Sequence, residues 1–301
     1  MNTILNVYCK ITIVTPCFNM APYIEQTILS VLNQNYPDLE YIIIDGGSTD
    51  GTQEIISKYV SRLSYYVSEP DNGMYDAIAK GFSHATGDVL AWINADDIYM
   101  PDTFAIVNRV FSQHKDVDWI GGRYSFLSEN GNEIKSYPKC SSRCQKDIAE
   151  GWCREDVLGF LQQESMFWRR NLYIQSGGMN ASYRFAGDFE LWTRFALHSS
   201  LAKVDMPLAS FRLRKMSLSN AGKDKYQEEV NRVISDKQAF PSLVWRVFHG
   251  SPLMIQLLRM LRFRKMTFFT FSSIDHPVRL QSLKSASNHT LCSLLSFKFP
   301  K

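Results

Sequence analysis

Cysteine is scarce in this chain of 301 residues, and long apolar runs are missing. The six cysteines are Cys9, Cys17, Cys140, Cys144, Cys153 and Cys292. Their irregular spacing argues against a disulfide scaffold and suits a reducing compartment. Cys140, Cys144 and Cys153 lie close in sequence, but no Cys-x-x-Cys pair and no nearby histidine completes a zinc cluster. A membrane-spanning helix needs roughly 20 consecutive apolar residues. Runs such as Val89-Leu90-Ala91-Trp92-Ile93 are far shorter. The first residues carry no apolar h-region, so no secretory signal is expected. No Walker motif is present, and Gly46-Gly47-Ser48 neither matches Gly-x-Gly-x-x-Gly nor follows the first strand. These absences argue against P-loop enzymes and dinucleotide-dependent dehydrogenases.

What is present fills a core. The chain is 45% hydrophobic and 13% aromatic, which excludes global disorder. Its formal charge of +3 hides a split. Residues 241–301 hold nine Lys or Arg and one acid, Asp275; the body keeps 24 basic and 29 acidic residues. A block of one sign marks a surface for partners of the other: anionic lipid, nucleic acid or an acidic substrate.

Strand and helix signals alternate over the first 120 residues. Strands are expected at Lys10–Phe18, Glu40–Asp45, Ser64–Ser68, Asp88–Asn94 and from Val117. Helices are expected at Ala21–Leu32, Thr52–Val60, Met74–His84 and Asp102–Ser112. Tyr41-Ile42-Ile43-Ile44 is apolar on both faces, as in a parallel strand covered by helices. The fold class is therefore α/β with a mainly parallel central sheet. Beyond it, Arg123–Tyr137 reads as a hairpin, Ser165–Arg169 as a strand and Asp188–Leu197 as a helix. Ala202–Val204 and Leu208–Leu213 read as strands, and a boundary is expected near Ala239-Phe240-Pro241.

Ligands of open α/β sheets bind beyond the C-terminal strand ends. Here those ends read Thr15-Pro16-Cys17-Phe18-Asn19, Asp45–Gly51, Glu69–Gly73 and Asn94-Ala95-Asp96-Asp97. Asp50 and Asp102 suit turns and helix caps. Asp96 and Asp97 repel each other and gain most from a nearby cation. Hard ions such as Mg²⁺ or Mn²⁺ take one or two carboxylates plus substrate phosphates.

These strand ends, with Ser30-Val31-Leu32-Asn33-Gln34, Ile44–Thr52, Ser68–Ala77, Gly81 and Ala85-Thr86-Gly87-Asp88, resemble family 2 glycosyltransferases in order and spacing. The resemblance covers roughly residues 10–215 and points to the branch that builds bacterial surface polysaccharides such as O-antigen, capsule or exopolysaccharide. It implies a GT-A type fold within residues 1–240: a nucleotide-sugar-binding half, 10–120, and an acceptor-binding half, 121–215. A basic extension, 241–301, follows. It also implies inverting transfer from a nucleoside diphosphate sugar (UDP-, GDP- or dTDP-linked) to a glycan or lipid-linked acceptor.

Carried onto this sequence, Thr15 and Pro16 would contact the nucleoside, and Asp45 would accept a hydrogen bond from the base. Asn19, Gly46, Ser48, Asp71 and Gly73 complete the donor set. Asp96 would lie near the ribose and Asp97 would hold the divalent metal. Asn94 stands where relatives often have Asp. The family's Glu-Asp pair reads Gly187-Asp188 here, which makes Asp188 the expected general base, with Glu190 as substitute. A helix N-cap is the other role open to Asp188. Gln163 and Glu164 either bind substrate or form a plain loop. Trp192 either stacks on a sugar ring or packs in the core. Arg212 and Arg214 either contact the diphosphate or make surface salt bridges.

Two other classes compete. One is a non-catalytic nucleotide-sugar or glycan binder with the same fold. The other is a nucleotidyltransferase, which needs a basic glycine-rich phosphate loop that Thr15–Met20 lacks. In the tail, Leu253–Lys265 reads LMIQLLRMLRFRK, with aromatics around it. Such a stretch either lies in an anionic membrane interface or packs on the body or a second copy. With the family named, nucleic acid drops from the expected partners. The expected location is cytoplasmic, peripheral at the inner membrane.

Overall fold

The computed structural model describes residues 8–136, 144–154, 158–214 and 222–236, and the backbone of two strands at 266–270 and 279–283. The strands in chain order are β1 (Ile11–Cys17), β2 (Leu39–Asp45), β3 (Tyr65–Ser68), β4 (Val89–Trp92), β5 (Ile98–Tyr99), β6 (Trp119–Arg123), β7 (Ser125–Leu127), β8 (Glu133–Ser136), β9 (Met166–Arg169), β10 (Ala202–Pro207), β11 (Ala209–Arg212), β12 (Met266–Thr270) and β13 (Arg279–Leu283). The helices are α1 (Ile24–Leu32), α2 (Thr52–Ser57), α3 (Met74–Ser83), α4 (Thr103–Gln113), α5 (Gln145–Ala149), α6 (Arg170–Gln175), α7 (Gly187–His198) and α8 (Lys223–Asp236).

Among the described residues the main sheet has the order β13-β12-β10-β6-β9-β4-β1-β2-β3. β1 pairs in parallel with β2 and with β4, and every residue of β1 is buried. The chain runs from β1 outward to β2 and β3, then returns to the other side of β1 as β4. That reversal opens a crevice at the C-terminal ends of β1 and β4, where ligands bind in doubly wound sheets. A smaller sheet, β5-β11-β7-β8, covers one side of that end.

β9 runs against both of its neighbours, with Leu90 opposite Trp168 and Gly121 opposite Met166. An antiparallel strand begins where its parallel neighbours end. The turn that precedes β9 (Gln163–Ser165) is thereby delivered to the crevice. Helices seal the sheet by their apolar faces: α1 buries Ile24, Ile28, Val31 and Leu32, and α3 buries Ala77, Ile78 and Phe82. α3 also lies close on β1 through Gly81, where a Cβ would stand 2.4 Å from Val14 Cγ1.

Most expected elements are present within a few residues. α2 is shorter than expected: it stops at Ser57, and a 3-10 turn follows at Val60–Arg62. Asp50 takes the turn role expected of it, accepting from the backbone N–H groups of Ala21 and Thr52. Asp102 sits before α4 with φ of 63°, but its side chain caps nothing. Two strands from the basic extension join the main sheet, β12 in parallel beside β10 and β13 against β12. The stretch Leu253–Lys265 lies outside the described residues.

Candidate active site

Asp45 ends β2 fully buried. Its Oδ2 accepts from the Ser48 N–H at 2.9 Å and the Ser68 hydroxyl at 2.5 Å, and its Oδ1 accepts from the Ser48 hydroxyl at 2.5 Å. The Ser48 hydroxyl also accepts from the Asn19 N–H, and Asn19 Oδ1 accepts from the Thr49 N–H. The ends of β1 and β2 are thus tied into one rigid wall. Gly46 lies against Asp71, whose carboxylate would be 2.8 Å from any Cβ placed there. Asp71 Oδ1 in turn accepts from the Gly73 N–H at 2.8 Å. Burial pushes the Asp71 carboxyl above its ordinary value.

Thr15 and Pro16 are not placed as expected. Both are buried within β1, and the Thr15 hydroxyl is bonded to Tyr41. Neither side chain is open to a nucleoside. The neighbouring Phe18 is 57% exposed where β1 ends, so it is the aromatic face this edge presents.

The adjacent acids differ sharply. Asp97 is fully buried, its Oδ1 accepting from the Arg212 N–H at 2.8 Å and its Oδ2 from Asn94 Nδ2 at 3.3 Å. Burial first, then Asp96 and Glu164, hold its carboxyl well above the usual range. Asp96 keeps its carboxylate nearer the surface and pairs with Arg214 Nε at 2.6 Å. The expectation that Asp97 holds the metal is corrected on this ground: its oxygens are bonded inside the protein, and Asp96, 8% exposed, is the less buried of the two acids.

Glu164 is also buried. Gln162 donates to it, and burial, helped by Asp96 and Asp188, pushes its carboxyl up to about 8. Gln163 bonds the Trp92 carbonyl at 2.8 Å through Nε2, while its Oε1 is buried without a partner. Gln163 and Glu164 are thus buried in the 3-10 turn that leads into β9.

Asp188 lies in the first turn of α7. Ala186 holds the cap position, so Asp188 is not the N-cap residue. Tyr75 of α3 donates its hydroxyl to Asp188 Oδ1 at 3.0 Å. Burial raises the Asp188 carboxyl above its ordinary value, against the lowering effect of hydrogen bonds from the helix backbone and Tyr75. Gly187, where relatives carry an acid, lies under the Tyr75 ring; a Cβ would meet that ring at 2.8 Å. Glu190 is excluded as a substitute base because Arg194 holds both of its oxygens, at 2.7 and 2.6 Å.

Two further expectations are corrected. Trp192 is 2% exposed, stacked on Trp92 at 5.5 Å with an interplanar angle of 9° and on Trp119 at 5.9 Å. It has no face open to a sugar. Arg212 is fully buried, donating to the Asp96 carbonyl at 2.6 Å and to Gln26 at 2.8 Å, so it braces the acidic loop from behind and meets no diphosphate. Sequence reasoning gave no role to Tyr75, although it stands inside the quoted Ser68–Ala77 motif.

Asp96 and the buried unpartnered oxygen of Asn94 are hard donors, which suit a hard divalent ion and no soft one. No group of three or more His, Cys, Asp or Glu among the described residues is arranged to hold a metal. The protein would then supply only one or two ligands, as expected where a substrate diphosphate shares the ion.

A sequence model described as glycosyl transferase family 2 matches residues 12–180, more than half of the chain. The chain belongs to that family. An uncharacterized glycosyltransferase of Rickettsia typhi is 25% identical over 228 residues, covering 72% of this chain and 68% of the relative. A PGL/p-HBAD biosynthesis glycosyltransferase of Mycobacterium bovis is 27% identical over 183 residues, covering 60% of this chain and 66% of the relative. Among solved structures, S. aureus TarS 1-349 in complex with UDP-GlcNAc superposes with a TM-score of 0.58 at 17% identity, over 75% of this chain and 65% of that one. The mannosyltransferase PcManGT from Pyrobaculum calidifontis, in complex with GDP-Man and Mn²⁺, gives a TM-score of 0.51 at 18% identity, over 84% and 79%. The chain thus spans less than two thirds of that TarS chain. These likenesses establish the glycosyltransferase fold; Asp188, Arg212 and Arg214 lie beyond the family match.

Proposed function

We propose that this family 2 glycosyltransferase moves a sugar from a nucleoside diphosphate donor to a hydroxyl of a glycan or lipid-linked acceptor in a single inverting displacement, with Asp188 as the base. The observation that carries the reading is the state of Asp188. It is a largely buried carboxylate of raised pKa, oriented by Tyr75, with no cation pairing it among the described residues. Glu164 interacts electrostatically with both Asp96 and Asp188, which supports one shared site for the strand-end acids and α7.

A sugar hydroxyl becomes a strong nucleophile only as its proton leaves. In the step proposed, the acceptor oxygen attacks the anomeric carbon and its proton passes to a free oxygen of Asp188. The bond from that carbon to the diphosphate oxygen breaks, and its electron pair leaves with the nucleoside diphosphate. Tyr75 holds the carboxylate in place, and the wall built on Asp45, Ser48, Asn19 and Asp71 positions the nucleotide. Asp96 would hold a Mg²⁺ or Mn²⁺ ion, which when bound neutralises the diphosphate leaving group. The TarS and PcManGT complexes, with UDP-GlcNAc and with GDP-Man and Mn²⁺, support a nucleotide sugar as donor and a divalent ion as cofactor. The PGL/p-HBAD relative supports a surface glycan or glycolipid as product class. No described helix is long and apolar enough to cross a membrane, so a lipid-linked acceptor would be met at a surface, through the basic extension 241–301.

Replacing Asp188 with Asn tests the base. Release of UDP or GDP from UDP-GlcNAc or GDP-mannose in Mn²⁺ should fall at least about 100-fold, while donor affinity by calorimetry stays within about twofold, because uniform binding is untouched. Near-normal turnover in Asp188→Asn removes Asp188 from this role.

A further inference from the structure

The segment that delivers Asp188 has an anchor outside the family match. Residues Arg184, Phe185 and Ala186 lead directly into α7, and their three backbone N–H groups all point at one carboxylate. Glu229 Oε1 accepts from Arg184 at 2.9 Å, and its Oε2 accepts from Phe185 and from Ala186, each at 2.8 Å. α7 has no side-chain cap of its own. Glu229 takes that place from another element, satisfying N–H groups at the helix entrance and setting a negative charge near its positive end.

The rest of α8 serves the same contact. Val230 and Val233 are buried in the core, and Tyr226 packs against it. Lys225, Glu229 and Arg232 follow at i, i+4 and i+7, so they share one face. On that face the Lys225 ammonium lies 5.9 Å from the centre of the Phe185 ring, and the Arg232 guanidinium lies 4.2 Å from that of Tyr183. Three side chains of one helix thus grip four consecutive residues, 183–186. From the opposite side the single Tyr75 hydroxyl proton is shared between Asp188 Oδ1 and the Phe185 carbonyl.

We propose that Glu229 is a positioning residue for transfer: it fixes the backbone of residues 184–186 and so holds the Asp188 carboxylate where the acceptor hydroxyl must meet it. This rests on the reading of Asp188 as the base. The titratable groups facing Asp188 are Tyr75 from α3, Glu229 from α8 and Glu164 from the turn before β9; Tyr226 of α8 faces Tyr75.

The test uses the full chain with Glu229→Ala, Glu229→Gln and Asp188→Asn, and UDP-GlcNAc and GDP-mannose with Mn²⁺ as probes. In Glu229→Ala, kcat for nucleoside diphosphate release should fall roughly 10- to 100-fold, the scale of a displaced catalytic group, with donor Kd within about twofold. Hydrogen exchange at the amides of 184–186 should quicken. Glu229→Gln keeps one acceptor oxygen and should lose less. It also removes a negative charge that raises the Asp188 pKa, so the acid limb of the pH–rate profile should move to lower pH. Turnover within about twofold of wild type in Glu229→Ala would overturn the proposal, since a misplaced base costs more than that. So would kcat, donor affinity and melting temperature falling together in Glu229→Gln, or an acid limb that stays in place. Wild-type turnover in Asp188→Asn would instead overturn the base reading itself, whatever Glu229 does.

Discussion

Asp96 and Asp97 are adjacent in the chain and opposite in circumstance. The backbone alternates their side chains, so one carboxylate turns toward Arg214 and the crevice while the other turns into the protein beneath Arg212. Their substitutions should therefore fail differently. Asp97→Ala leaves the buried Arg212 N–H without its acceptor, a cost of about 1–3 kcal/mol. That should lower the melting temperature by several degrees, at roughly 2–4 °C per kcal/mol for a domain of this size. Asp96→Ala breaks an ion pair with Arg214 in which each side chain is only 12% exposed, so it too should melt below wild type. Its loss should appear in calorimetry, as a fall of about tenfold or more in Mn²⁺-dependent affinity for UDP-GlcNAc or GDP-mannose, the scale of one lost charged contact. If Asp97→Ala melts normally and is the variant that loses Mn²⁺ dependence, the assignment reverses. The acidic cluster was legible in the sequence because carboxylates at strand ends need a cation. The division of labour was not, because it is imposed by Arg212, 115 residues downstream. Trp192 is the same case in reverse. Its helical spacing suited both a sugar platform and a core position, and only the stacking of Trp92 and Trp119 on it decides between them.

At the scale of elements, the site depends on how closely α3 lies on β1. That helix supplies Tyr75 at its start and follows the Asp71–Gly73 turn. Its approach is set by Gly81 against Val14, a β-branched side chain on a central strand with little room to yield. Gly81→Ala brings two opposing effects. Helix propensity favours Ala by about 1 kcal/mol. Overpacking against a fixed neighbour costs typically about 1–3 kcal/mol. The contact at 2.4 Å is too short to be absorbed by rotamer change, so overpacking should win and the melting temperature should drop. Val14→Ala in the same chain should return part of that loss, giving a measurable coupling in a double-mutant cycle. A fully additive double variant would show that the two residues do not set the helix height. The alternating α/β pattern of the first 120 residues was legible because each element there has a local apolar period. β9 was visible as a strand but not as an antiparallel one, since direction is fixed by its partners β4 and β6. α8 escaped notice although Tyr226, Val230 and Val233 have helical spacing. Its mean composition is polar, and the reason for it, the grip on residues 183–186, is a tertiary contact.

The chain keeps its two charges apart in sequence. The acids Asp45, Asp96, Asp97, Glu164 and Asp188 gather at the crevice, where a cation and a diphosphate would balance them. The excess of Lys and Arg lies in residues 241–301. That segment is not simply appended to the body: β12 and β13 continue the sheet beside β10. Deleting it would strip an edge from the fold, so a test of the proposed membrane contact should leave the chain whole. Replacing Arg259, Arg262, Arg264 and Lys265 together by Gln removes four positive charges from one stretch and no strand residue. Each basic group near an anionic bilayer contributes on the order of 1 kcal/mol. The wild-type chain should therefore float with vesicles containing phosphatidylglycerol and not with pure phosphatidylcholine. The quadruple variant should stay in solution, and raising the salt to about 1 M, where the screening length is roughly 3 Å, should release the wild type as well. Turnover of UDP-GlcNAc or GDP-mannose with water should be equal in the two chains, because none of the four replaced residues is among those assigned to the crevice. Equal flotation of both chains would show that these four charges do not carry the contact. Equal flotation on neutral vesicles would show that charge does not carry it at all.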